Sequence, residues 1–89
     1  MSGSVKELLN NFSTSKTVSY VNRDGKITSV VLETPLIAVA EAFCEKNKLS
    51  KNEFLRVMAA LAPDKMSVTK TMRIILSKMY FTGDLDIND

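Results

Sequence analysis

The chain has 89 residues, 45% of them apolar, and a formal charge of +2 at pH 7. That length makes one small domain, which buries only about 60–65% of its unfolded surface and therefore gains from association with a second copy. No apolar run reaches 18 residues, so no membrane-spanning helix is expected, and the lack of histidine leaves a poor inventory for catalysis.

The opening MSGSVKELLNN has neither the apolar stretch nor the cleavage site of a secretory signal. Cys44 is the single cysteine, so no internal disulfide can form, and a reducing, cytoplasmic setting is the expectation. Charge is unevenly spread. Asp84, Asp86 and Asp89 fall in the last six residues, so residues 1–83 carry 12 basic and 7 acidic side chains, a net +5. The reading is one mildly basic domain over 1–83 followed by an acidic flexible tail over 84–89. Such a body permits nucleic-acid binding. An enzyme is not expected, because the lone thiol has no imidazole to activate it and the carboxylates are scattered singly.

In chain order, Ser4 and Glu7 form a capping box, and Val5, Leu8, Leu9 and Phe12 mark one face of a short helix. Residues 13–16 are a polar break. Strands are expected near 17–22 and 26–32, where β-branched and aromatic residues dominate. The link between them, Asn22-Arg23-Asp24-Gly25, imitates part of a calcium loop, with Asn22 and Asp24 at loop positions 3 and 5 and Gly25 at 6. The first and twelfth positions are Tyr20 and Val31, which cannot ligate, so the stretch reads as a type I turn of a hairpin and no metal is expected.

Thr34 can cap the next helix and Pro35 suits its first turn. About 14 residues follow, with Leu36, Ile37, Ala40, Phe43 and Cys44 on one side and Lys46 and Lys48 in the last turn. KLSKNEF holds a second capping box, Ser50 with Glu53, flanked by Leu49 and Phe54 at the staple positions. That helix carries Leu55, Val57, Met58 and Leu61 and stops before Pro63. After a turn at APDKM, Ser67 caps a last helix over about 68–80 with Val68, Met72, Ile75 and Met79 at helical spacing, and Gly83 is its stop.

Cys44 reads as a buried structural thiol, the spaced methionines as core, and Lys46, Lys48 and Lys51 as a basic corner. The capped start of the helix at 51 is chemically more pointed. Ser50, Lys51 and Asn52 combine free backbone N–H groups, the positive end of a helix dipole and a lysine, which suits a phosphate.

The stretch KITSVVLETPLIAVAEAFCEKNKLSKNEFLRVMAALA, residues 26–62, resembles the ribbon-helix-helix family of dimeric DNA-binding proteins. Val30 and Leu32 take the family's inward strand places and Glu33-Thr34-Pro35 its break. Lys48-Leu49-Ser50 matches the turn, and Lys51 to Arg56 the opening of the second helix. The resemblance implies an α+β fold: an N-terminal helix, a β-hairpin and three helices, with a dimeric ribbon-helix-helix core. It implies a homodimeric regulator of transcription, partition or antitoxin type that binds double-stranded DNA. Ser50, Lys51 and Asn52 would hold phosphate, and Arg23 and Lys26 would lie near the groove. Of the outward strand residues Ile27, Ser29 and Val31, Ser29 would read a base. No cofactor is implied, and residues 67–89 would be left for a protein partner or for assembly.

Two other readings stand beside it. Residues 68–80, with Ser67, Thr69, Lys70 and Arg73 at their start, could read DNA as the last helix of a winged module. Alternatively the chain is a protein-interaction module, an inhibitor or adaptor, using the apolar Ile27 and Val31 or an open strand edge.

Overall fold

A computed structural model describes residues 4–83, so the acidic tail expected at 84–89 lies outside the described residues. The chain runs α1 (Val5–Asn11), β1 (Ser15–Val21), β2 (Ile27–Glu33), α2 (Thr34–Asn47), α3 (Lys51–Ala60) and α4 (Val68–Thr82). This is the expected small α+β order of one helix, one hairpin and three helices.

The three serine caps form as their spacing predicts. Ser4 accepts the backbone N–H of Glu7, Ser50 that of Glu53, and Ser67 that of Lys70, at 3.1, 3.0 and 3.1 Å. Gly83 ends α4 in the left-handed region with φ 71°, its N–H donating to the Met79 carbonyl. Thr34 behaves differently from expectation. The N-cap of α2 is Glu33 and makes no side-chain capping bond. Thr34 instead extends the hairpin by one rung, its N–H and its hydroxyl both directed to the Thr14 carbonyl at 3.0 and 3.1 Å. Glu33 is drawn away by Arg73 of α4, which grips it with two bonds of 3.2 and 2.6 Å.

β1 and β2 pair antiparallel from Ser15↔Glu33 to Val21↔Ile27. β1 begins two residues earlier and β2 ends one residue later than expected because Ser15 and Lys16 find partners in Glu33 and Leu32, and each strand stops one residue short of its expected limit at the turn. Between them, Asn22 donates its backbone N–H to Lys26 at 2.8 Å, while its Oδ1 accepts from the N–H groups of Asp24 and Lys26. Gly25 takes φ 79°, where a residue with a Cβ is strained. The three-residue loop with glycine in the left-handed region is a standard hairpin closure. The Asn22 oxygen that resembled a calcium ligand is committed to the turn.

One face of the hairpin packs on the helices. Tyr20, Val30 and Leu32 are buried with Leu36, Ala40, Phe43, Phe54, Leu55, Met58, Met72, Leu76 and Met79. Alternation along β2 places Val30 and Leu32 inward as expected, and Ile27, Ser29 and Val31 outward. The apolar face of α3 agrees with expectation in part: Leu55 and Met58 are buried together with Phe54, whereas Val57 and Leu61 face solvent. Phe54 leads because its ring stacks on Phe43, with centroids 4.6 Å apart. In α4 the buried row is Thr71, Met72, Leu76 and Met79, with Val68 and Ile75 only partly covered. Thr71 is tolerated there because its hydroxyl donates to the Ser67 carbonyl at 3.0 Å.

α1 sits apart from this core. None of its residues is buried, and the chain reattaches through Phe12, whose ring meets Tyr80 edge-on at 5.2 Å.

Candidate nucleic-acid interface

The hairpin is a two-stranded ribbon made by one chain, with helices behind it and an open front. Its front carries Thr17, Ser19, Val21, Ile27, Ser29 and Val31. Ser19 and Ser29 lie opposite each other at its centre, their hydroxyls 3.0 Å apart. Ile27 and Val31 are widely exposed, at 77 and 52%. Arg23 and Lys26 belong to the turn at one end of this ribbon, and neither enters an ion pair among the described residues.

The start of α3 lies beside the same ribbon, and Asn52 is the reason. The two end rungs of the hairpin are Asn22–Lys26 and Thr34–Thr14, so even-numbered residues of β1 bond to β2 and odd-numbered ones point their backbone groups outward. At Val21 that outward pair is taken by the Asn52 amide. Its Oδ1 accepts the Val21 N–H at 2.7 Å and its Nδ2 donates to the Val21 carbonyl at 3.4 Å. Asn52 thus acts as a one-residue stand-in for a neighbouring strand and ties α3 to the sheet edge.

Each of the three residues expected to hold phosphate at this corner has an internal task. Asn52 binds Val21. Ser50 caps α3, and replacing it by alanine is expected to lower stability by about 1 kcal/mol in urea denaturation, because Glu53 loses its side-chain acceptor. Lys51 pairs with Glu41 of α2 at 3.2 Å, both half exposed, an ion pair of small energetic weight. What the corner still offers is the positive end of the α3 dipole and the backbone N–H groups of its first turn. The expected three-residue cradle is therefore reduced to backbone and one surface lysine. The cation cluster of the ribbon turn gains a member that the sequence did not single out, Arg56, which lies with Arg23 along a cleft beneath the turn.

The start of α4 is less available. Ser67 is engaged as a cap, Arg73 holds Glu33, and the helix supplies Met72, Leu76 and Met79 to the core. Lys70 remains exposed without an ion pair among the described residues.

Cys44 is 7% exposed, with its thiol 3.8 Å from the Ser50 carbonyl. Burial pushes its pKa above the ordinary thiol value of 9.0, nearby Lys51 opposes this and Glu41 adds to it. Folding therefore favours the protonated thiol. Its stabilising contribution is present below about pH 9 and lost as pH rises beyond the unfolded-state value. Alkylation by iodoacetamide at pH 8 is expected to be slow in the native protein and fast in urea. Equal rates would place the thiol in solvent.

No protein-family model, curated protein or solved structure matches this chain.

Proposed function

We propose that the protein is a DNA-binding regulator of ribbon-helix-helix type, laying the open face of its hairpin in the major groove. The observation that carries this reading is the two-stranded ribbon with helices on one face only. A B-form major groove admits a ribbon of that width, and here a single chain supplies it. In this reading Ser29 and Ser19 meet base edges at the centre, while Val21, Ile27 and Val31 meet thymine methyls. Arg23 and Lys26 at the turn reach the phosphates of one strand. The first turn of α3 faces a flanking phosphate through the backbone N–H groups of Lys51 and Asn52, with Ser50 and Asn52 fixing its position rather than touching DNA. A second copy occupies a second half-site, as homodimeric readers do, instead of lending a strand.

Fluorescence anisotropy with a random-sequence duplex tests the reading. With about two cationic phosphate contacts per chain, and so about four for the pair of copies, affinity should fall on the order of 100-fold between about 50 and 200 mM salt. Absence of binding at the lower salt, or binding indifferent to salt, removes the proposal.

The competing reading is a protein-interaction module. It is favoured by the wide exposure of Ile27 and Val31 and by the outward backbone groups of Thr17 and Ser19, which could pair with a strand of another protein. A salt-insensitive complex with a protein partner, with no duplex affinity, selects it.

A further inference from the structure

Behind the ribbon turn lies a cleft of about 460 Å³ that neither the ribbon front nor the start of α3 uses. Arg23 and Asp24 of the turn, Arg56 of α3, and Tyr20 and Thr28 of the hairpin are among the residues that line it. The volume is within the range of small-ligand sites.

Two independent features mark it as more than a surface dent. The first is charge without partners. The ion pairs among the described residues are Lys51–Glu41 and Arg73–Glu33, so neither Arg23 nor Arg56 is neutralised, even with the Asp24 carboxylate on the same rim. The second is Tyr20. Only 4% of the residue is exposed, yet its hydroxyl makes no hydrogen bond among the described residues. No fully enclosed side-chain oxygen among the described residues lacks a partner, so this hydroxyl keeps an opening, and Tyr20 is one of the residues that line the cleft. A buried phenol usually finds a partner, because leaving it without one costs free energy.

The polar groups are biased toward donation. The Asn22 amide is largely engaged locally: one Nδ2 hydrogen goes to Thr28 Oγ1 at 3.2 Å and its oxygen closes the turn. Two guanidinium forks, the phenol and the Thr28 hydroxyl proton remain, against one carboxylate. Two forks and two hydroxyls exceed what the two oxygens of a carboxylate accept with good geometry, and they suit the three terminal oxygens of a phosphate.

We propose that this cleft binds a phosphate group, gripped by Arg23 and Arg56 with the Tyr20 hydroxyl as a further donor. Arg23 is shared with the ribbon reading, whereas Arg56 and Tyr20 belong to the cleft alone, so substitutions at those two residues separate the two ideas. The phosphate could belong to a soluble phosphomonoester or to a nucleic-acid backbone.

The test is an NMR titration of the ¹⁵N-labelled protein with inorganic phosphate, with adenosine monophosphate and with a random-sequence duplex, chloride holding the ionic strength constant. Saturable shifts are expected at the Arg23 and Arg56 Nε–H groups and at the turn amides. R56A should weaken phosphate binding about tenfold or more, since it removes a charge-assisted fork. Y20F should weaken it severalfold with the melting temperature unchanged or slightly raised, because the lost hydroxyl has no protein partner. D24N should tighten binding, and K78A, at an exposed lysine of α4 outside both sites, should leave it alone. Displacement of bound phosphate by the duplex identifies the backbone as the source. Tighter binding of the monophosphate than of inorganic phosphate, without displacement by the duplex, identifies a soluble phosphomonoester. Shifts that never saturate, or affinities untouched in both R56A and Y20F, overturn the proposal. Duplex binding that survives these two substitutions leaves the ribbon reading intact and separates it from the cleft.

Discussion

Phe54→Ala is expected to remove about 3–5 kcal/mol of folding stability, enough to leave much of the protein unfolded at 25 °C. Phe54 is wholly buried, its ring lies 4.6 Å from that of Phe43, and the two planes are inclined by 25°. It sits in the first turn of α3, so its loss empties the contact between α2 and α3 where the chain has just reversed direction. A domain of this size begins with a stability toward the lower end of about 5–15 kcal/mol, so the loss consumes most of it. Urea denaturation followed by circular dichroism measures the effect, with Phe54→Leu as the milder companion. A change under about 1 kcal/mol would mean that α3 is not seated on Phe43.

Ser29→Glu is the largest expected functional effect. Ser29 faces Ser19 at the middle of the ribbon front, and its side chain is exposed, so the substitution should shift stability by no more than about 0.5 kcal/mol. In a groove walled by phosphates the new carboxylate is repelled, and like charges brought together at an interface cost several kcal/mol. Duplex affinity should drop on the order of 100-fold, read by anisotropy at low salt. Wild-type affinity in this variant would show that the ribbon front stays out of the groove.

The parts of the fold legible beforehand are those encoded within four residues. Ser4, Ser50 and Ser67 each bond to a backbone N–H three positions on, and the Asp24-Gly25 pair closes its turn through Asn22 two to four positions away. Alternation also gave the inward Val30 and Leu32, since a strand offers only two faces. What escaped depends on partners far along the chain. Thr34, expected to cap α2, spends its hydroxyl on the Thr14 carbonyl, twenty residues back, and Asn52 spends its amide on Val21, thirty-one residues back. Both residue types are good local cappers or phosphate ligands in isolation, and nothing nearby says they are taken. The burial of Val57 and Leu61 was overestimated for a related reason. Apolar spacing defines a stripe, but the Phe43 ring decides which side of that stripe turns inward. The Tyr20 cleft was hidden in the same way, because Arg23 and Arg56 are thirty-three positions apart and meet only where α3 passes under the turn.

A ribbon woven from neighbouring segments of one polypeptide can assemble in a first-order process. Refolding half-times should therefore not lengthen on dilution, and newly made molecules need no encounter with a sibling before the sheet exists. Families whose ribbon is shared between subunits must wait for that collision at low copy number. Here that step lies within one chain, where nine residues link Ser19 to its rung partner Ser29.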